Sequence, residues 1–198
     1  MAYSGLVSVI TPTWQRHDML LDRCMPSVQA QDYLKVQHVI VSDGPDPELR
    51  RKLPQDVVYS ELPEHDWRRH WGNPARRHGI DIAEGEFITY CDDDDALRPE
   101  HCSLLVQALQ DNPQCEFALS RMLSHQPSGD HVIGGDVIAF GQVGTPMIMH
   151  RRSILEKANW GVDSDGEDWE LVMAWVNAGA KYARVDTVTV DVWPSTFR

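Results

Sequence analysis

The chain has 198 residues, 42% of them hydrophobic and 24% charged, which is typical of one folded domain and excludes extensive disorder. Lys and Arg number 18 against 30 Asp and Glu, so the formal net charge is −12. This balance argues against a protein whose main partner is nucleic acid, because affinity for that polyanion comes largely from Lys and Arg.

The first half alternates apolar runs with helical patterns. Strands are predicted at 6–10, 36–43 and 57–62, and helices at 18–31 and 47–53. This alternation is typical of a doubly wound α/β fold with a mostly parallel sheet, in which ligands bind at the carboxyl ends of the strands. Thr11 and Asp43 lie where the first and second strands end, so both are expected at that edge.

An aromatic and basic segment, 63–72, leads into the next helix, for which Asn73 and Pro74 are predicted as N-cap and first helical residue. Arg76 lies in the first turn, where a diphosphate could meet both its guanidinium and free backbone N–H groups. A solvated basic face is the alternative interpretation for the neighbouring arginines.

The run Phe87–Cys91 predicts a further buried strand, and four consecutive carboxylates, Asp92–Asp95, follow it directly. Adjacent like charges repel each other, and they are tolerated where a cation lies among them. Oxygen ligands grouped at a strand end suit Mg²⁺ or Mn²⁺ bridging a phosphate. The sequence therefore favours a metal and phosphate site here over a solvated acidic turn.

The second half is less regular. The segment after the acidic run is predicted to open a helix, which continues over Pro99–Asn112. Further strands are predicted at 116–124, 131–133, 145–150 and 181–192, and another helix at 151–158.

A second acidic cluster, 163–170, enters a helix that runs to about residue 178. A calcium loop is excluded, because the glycine of this segment is at position four, counted from the first Asp as position one, instead of position six. Asp168 shares a helical stripe with Leu171, Val172 and Trp175, so its carboxylate is expected to face the protein body or a cleft. A partly desolvated carboxylate has a raised pKa and can serve as a general base.

Four cysteines, Cys24, Cys91, Cys102 and Cys115, lack CxxC spacing and are expected to be reduced, mostly buried thiols. The N-terminus lacks the pattern of a signal peptide, and no apolar stretch approaches the ~18 residues that span a bilayer. We therefore expect a cytoplasmic protein without a membrane span.

Five motifs, in this order and spacing, resemble those of family-two glycosyltransferases with the GT-A fold. They are 7–13, the strand ending at Asp43, 75–88, the acidic run and 166–171. The resemblance covers nearly the whole chain and implies a single GT-A domain, with a nucleotide-binding half over about 1–95 and an acceptor and catalytic-base half over about 96–198. It implies an inverting, metal-dependent transfer of a sugar from a nucleotide diphosphate, most simply a UDP-sugar, to an acceptor hydroxyl.

The resemblance also implies roles for individual residues. Thr11, Pro12 and Asp43 would hold the base and ribose, with Thr13 in the same donor site, and Arg76 would lie near the donor phosphates. Asp92, Asp93 and Asp94 would form the DxD site, where Asp94 would contact Mn²⁺ or Mg²⁺, and Asp168 would be the catalytic base. Two positions depart from the family pattern: Arg77 stands where Asn is common, and Trp193 where many members carry a metal-binding His.

Other functions remain open at this stage. A metal-dependent phosphohydrolase or nucleotidyltransferase would also use clustered Asp on a doubly wound sheet, although the glycine-rich phosphate loop expected of a nucleotidyltransferase is absent after the first strand. A sugar or nucleotide binding module would give no reason for a base at Asp168. In a DNA-modifying glycosyltransferase, the stretch from Trp67 to Arg77 would contact the phosphate backbone, which the net charge disfavours.

Overall fold

The computed structural model describes residues 2–66, 72–161 and 168–194. The strands of these ranges are β1 (Tyr3–Thr13), β2 (Val36–Ser42), β3 (Val58–Glu61), β4 (Gly85–Tyr90), β5 (Ala96–Leu97), β6 (Phe117–Gln126), β7 (Gly129–Ile133), β8 (Ile148–Arg151) and β9 (Tyr182–Val192). The helices are α1 (His17–Met19), α2 (Met25–Gln29), α3 (Pro47–Lys52), α4 (Asn73–Ile82), α5 (His101–Asp111) and α6 (Asp168–Asn177). A π-helical turn, Leu20–Cys24, joins α1 to α2, and two 3₁₀ helices cover Thr145–Met147 and Arg152–Glu156.

The described strands form one mixed sheet in the order β3-β2-β1-β4-β8-β6-β9-β5, with β7 paired to β6. Six of them, β1 to β4, β6 and β9, run in the same direction. This confirms the predicted mostly parallel α/β architecture. The carboxyl ends of β1, β2 and β4 therefore lie together at one edge, where the acidic run begins.

The central strands of the sheet are buried on both sides. One core contains Val7, Val9 and Phe87 with α5, and the other contains Ile10 and Ile88 with α4 and α6. Because neighbouring residues of β1 face opposite cores, the strand is apolar without alternation, as the sequence predicted. The four cysteines are free and buried, as expected.

The structure corrects several predicted boundaries. Ala96–Leu97 pairs with β9 as a short strand, so the helix after the acidic run begins only at His101. Gly72, at φ 81°, is the N-cap of α4, so no side chain caps this helix, and Asn73 is its first residue. The helix expected at 151–158 is the 3₁₀ helix Arg152–Glu156, and the strand expected at 145–150 begins only at Ile148.

Among the residues that the structure describes, no helix is both long enough and apolar enough to cross a bilayer.

Candidate active site

The ends of β1 and β2 are tied together at the edge where the acidic run begins. The backbone N–H of Asp43 donates to the carbonyl of Thr13 at 2.8 Å, which holds the two strand ends in register. The Thr13 hydroxyl lies beside Asp93 and partly opposes the rise in the pKa of that carboxyl that burial causes. Thr13 therefore connects two of the predicted site residues.

The Thr11 side chain faces the core. Its hydroxyl is hydrogen-bonded to His38 Nε2 at 2.9 Å and lies 3.4 Å from the Sγ of Cys24. Pro12 is also buried, and a Cβ on Gly72 would lie 3.1 Å from the Pro12 Cβ. These two residues shape the strand end, but the Thr11 hydroxyl is engaged away from any ligand at this edge.

Both carboxylate oxygens of Asp43 are engaged by the loop that follows β3. His65 Nδ1 lies 3.0 Å from Oδ2, and the backbone N–H of Asp66 donates to Oδ1 at 3.2 Å. The His65 ring stacks on Trp14, with ring centroids 4.4 Å apart. Burial raises the pKa of Asp43, while the Asp66 N–H and His65 oppose that shift.

Arginines surround the acidic run. Arg76, in the first turn of α4, reaches Asp92 Oδ1 with Nη2 at 2.5 Å and lies over the Trp160 ring. Arg23 donates from Nη1 to the Asp94 carbonyl at 2.6 Å. The cations that make consecutive carboxylates tolerable thus include guanidinium groups of the chain itself.

Arg16 contacts two carboxylates at once. Its Nε donates to Asp93 Oδ2 at 3.1 Å, its Nη2 lies 2.5 Å from Asp93 Oδ1, and its Nη1 donates to Asp94 Oδ2 at 2.7 Å. Burial raises the pKa of Asp93 to about 7 despite this guanidinium. Burial, with the adjacent charges of Asp92 and Asp94, raises the pKa of Asp95 to about 9.

Trp193 lies at the acidic run, where its backbone is hydrogen-bonded to the Asp95 carboxyl. Its ring stacks on His125 at 4.8 Å, and the Arg23 guanidinium lies 4.0 Å from the ring centroid. Trp193 therefore positions Arg23, whose Nη1 binds the Asp94 backbone. The position at which the resemblance implies a metal-binding His thus holds an aromatic ring.

Asp168 is the first residue of α6, and its neighbours on the predicted stripe, Leu171, Val172 and Trp175, are buried. The Thr145 hydroxyl donates to Asp168 Oδ2 at 3.4 Å. Thr145 precedes β8, which runs antiparallel to β4 with Met149 opposite Thr89, so Thr145 lies beyond the carboxyl end of β4. Asp168 and the acidic run are therefore at the same edge of the sheet.

Carboxylate oxygens at this edge suit a divalent cation that also binds a phosphate. Within the described ranges, no group of three His, Cys, Asp or Glu side chains is arranged to hold a metal by itself. Mg²⁺ commonly takes only one or two protein carboxylates and fills its remaining positions with water and substrate oxygens. Asp94 fits such a shared site, because its side chain is 10% exposed, whereas that of Asp93 is fully buried.

The sequence did not reveal Arg16 or Arg23 as site residues. Both lie in the segment after β1, and their contacts with the acidic run span 71 to 78 positions of the chain. The signal that could have identified Arg16 is its place three residues after Thr13, at the carboxyl edge of the sheet. Arg77, one of the departures from the family pattern, is exposed and donates to the Trp160 carbonyl at 3.3 Å. Residues 67–71 and 163–167 of the predicted basic and acidic segments lie outside the described residues.

Comparison with known proteins gives a consistent result. Residues 8–124 match the family model described as "Glycosyl transferase family 2". A GalNAc(5)-diNAcBac-PP-undecaprenol beta-1,3-glucosyltransferase of Campylobacter jejuni is 27% identical over 185 residues, which are 86% of this chain and 59% of that protein. The chain spans less than two thirds of the length of the curated relatives it matches.

Solved structures show the same fold. S. aureus TarS 1-349 in complex with UDP-GlcNAc superposes with a TM-score of 0.75 at 18% identity, covering 98% of this chain and 60% of that one. The mannosyltransferase PcManGT from Pyrobaculum calidifontis, in complex with GDP-Man and Mn²⁺, gives 0.69 at 15% identity, covering 93% and 56%. At these identities the likeness establishes a GT-A fold.

Proposed function

Because the chain belongs to glycosyl transferase family 2, we propose that it moves a sugar from a nucleotide-diphosphate donor to an acceptor hydroxyl, with inversion at the anomeric carbon. The observation that carries the proposal is the position of Asp168 at the edge of the sheet where the acidic run begins. One group of carboxylates is then available on the donor side, and a separate carboxylate on the acceptor side.

On the donor side, we assign the diphosphate to the neighbourhood of Arg76 and Asp94. Asp92 holds the Arg76 guanidinium at the first turn of α4, and Asp94 would offer an oxygen to a Mg²⁺ or Mn²⁺ ion. When bound, that ion would neutralise the charge that develops on the leaving diphosphate. The segment Thr11–Thr13 and Asp43 would shape the nucleoside side of the site, with Asp92 and Asp93 orienting the arginines around the phosphates.

On the acceptor side, Asp168 is assigned as the general base. It takes the proton of the acceptor hydroxyl while that oxygen forms its bond to the anomeric carbon. The bond from that carbon to the diphosphate oxygen breaks in the same step, and the diphosphate leaves with the electron pair. A single displacement of this kind inverts the anomeric centre.

The ligands of solved neighbours support a nucleotide-sugar donor. Structures of neighbours hold UDP-GlcNAc in TarS and GDP-Man with Mn²⁺ in PcManGT. UDP-sugars are therefore the first donors to test and GDP-mannose the second. Three statements stay predictions: the acceptor hydroxyl, the cytoplasmic location, and the division into a donor half (about 1–95) and an acceptor half (about 96–198).

The test begins with thermal shifts for a panel of UDP-sugars and GDP-mannose, with and without Mn²⁺, because a ligand of the folded state raises its apparent stability. Release of nucleoside diphosphate is then measured with the stabilising donor and a pool of sugar acceptors. Asp168→Asn is expected to keep the thermal shift and lower the release rate about 10²–10⁴-fold. Glu170→Gln, an exposed acid of the same helix, is the matched control and should leave the rate unchanged.

Other outcomes would support the alternatives. Free phosphate would indicate a phosphohydrolase, and pyrophosphate released from a nucleoside triphosphate would indicate a nucleotidyltransferase. Donor binding with no turnover, and no effect of Asp168→Asn, would indicate a binding module. Acceptor binding that weakens steeply with salt would favour a DNA-modifying transferase.

A further inference from the structure

We propose that Arg16 and a divalent cation compete for the carboxylate of Asp94, and that Arg16 gives up this one contact when the metal binds. Arg16 remains on Asp93 throughout, so the exchange takes place without unfolding of the loop. This inference rests on the proposed metal role of Asp94, and it identifies Arg16 as the residue that determines how readily metal and donor bind.

Different nitrogens of the Arg16 guanidinium contact Asp93 and Asp94. Nε donates to Asp93 Oδ2 at 3.1 Å and Nη2 forms an ion pair with Asp93 Oδ1 at 2.5 Å, whereas Nη1 donates to Asp94 Oδ2 at 2.7 Å. A two-point pair with a planar carboxylate defines the position of a guanidinium far better than one contact does. The contact with Asp94 can therefore break while Asp93 still holds the side chain.

The exposures show which of the three side chains are open to solvent. The Arg16 side chain is 32% exposed, that of Asp94 10% and that of Asp93 0%. Solvent therefore reaches Arg16 and, to a smaller extent, Asp94, at the contact between these two side chains. The buried Asp93 is inaccessible to the ion and serves as the anchor of Arg16.

The backbone before Arg16 holds this arrangement. Among the residues described, Gln15 is the non-glycine residue with a positive φ, at 53°. This sharp turn directs Trp14 toward His65 and Arg16 toward the acidic run. The Arg16 side chain is fixed by this turn and by Asp93, and it gives one donor to the more accessible carboxylate of Asp94, so it is suited to such an exchange.

Mn²⁺ binding to the full chain, measured from the EPR signal of free Mn²⁺ with and without UDP, tests the competition directly. We expect Arg16→Gln to bind Mn²⁺ about tenfold more tightly than wild type, because one charge-assisted hydrogen bond no longer competes. Arg16→Lys keeps the charge and should give an intermediate affinity. Arg51→Gln, an exposed arginine of α3, makes the same change in net charge and should bind like wild type.

A second measurement uses the wild-type chain. In NMR spectra of arginine Nε–H groups, Mg²⁺ should shift the Arg16 resonance, assigned with Arg16→Lys, without the loss of exchange protection that departure from Asp93 would cause. This readout stays informative even if Arg16→Gln folds poorly.

The outcomes separate the two proposals. Tighter binding in Arg16→Gln that Asp94→Asn abolishes would support the competition. Equal affinity in wild type and Arg16→Gln, with loss in Asp94→Asn, would overturn the competition and keep the metal site. If neither wild type nor Arg16→Gln binds Mn²⁺, with or without UDP, the metal role of Asp94 is wrong and this inference falls with it.

Discussion

The pair of Arg76 and Asp92 joins α4 to the acidic run, and its two members are buried to different extents. The side chain of Arg76 is 6% exposed and that of Asp92 26%, with 2.5 Å between Nη2 and Oδ1. We predict that Asp92→Asn destabilises the protein more than Arg76→Met does. Asp92→Asn removes the carboxylate beside the Arg76 guanidinium, which water reaches poorly. Arg76→Met leaves the Asp92 carboxylate, which can be hydrated.

The magnitude follows from the burial. Breaking a fully buried pair by removing one partner costs about 3–5 kcal/mol, and an exposed pair contributes about 0–1 kcal/mol. Asp92→Asn should therefore lower the free energy of unfolding by about 3 kcal/mol. Arg76→Met, which keeps apolar contact with the Trp160 ring, should lower it by about 2 kcal/mol. The double variant should lose about 3 kcal/mol, which leaves a coupling energy of about 2 kcal/mol.

The assay is urea unfolding of the wild type, both single variants and the double variant at one pH, with equal m-values as the check that unfolding stays comparable. Additive losses, with a coupling below about 0.5 kcal/mol, would show that the pair is only a contact between solvated groups. A larger loss in Arg76→Met than in Asp92→Asn would refute the reasoning from burial.

Three further predictions concern the fold around the site. Gly79→Ala should lower the free energy of unfolding, measured in urea, by about 1 kcal/mol. The added Cβ would lie 2.6 Å from Ile10 Cγ2, and the cost of this overpacking exceeds the gain in helix propensity. A stabilised variant would show that α4 shifts without cost. Arg152→Met should lower the free energy of unfolding by about 3 kcal/mol in the same assay, because the Arg152 guanidinium donates to three carbonyls at the end of α4 and the start of β4. A loss below about 1 kcal/mol would mean that water replaces the guanidinium. Burial lowers the pKa of His101 to about 3 and of His150 to about 4, so the stability that these two neutral histidines contribute above pH 6.5 should fall by about 2–4 kcal/mol between pH 7 and 5. The raised pKa values of Asp93 and Asp95 act in the opposite direction, so the loss is measured in urea titrations as the difference between the pH profiles of wild type and the double variant His101→Gln, His150→Gln, and parallel profiles would contradict it.

The sequence predicted the parallel half of the fold well because its signals are local. The apolar runs of β1, β2 and β4 need no partner to be recognised, and Asp46 caps α3 through the N–H of Leu49. Predictions failed where local preference was weak. Ala96 and Leu97 follow charged residues and suit a helix start, but pairing with β9, more than 90 positions away, makes them a strand.

The candidate site shows the same division. The acidic run and Asp168 could be identified as candidate site residues from the sequence alone, because a carboxylate after a buried strand or at a helix start is recognised without coordinates. Only the tertiary structure decided that Arg16, Arg23 and Arg76 meet the acidic run and that the Thr11 hydroxyl faces the core. The physical reason is that charge pairing and side-chain direction depend on contacts across the sheet edge, between residues that the chain separates widely.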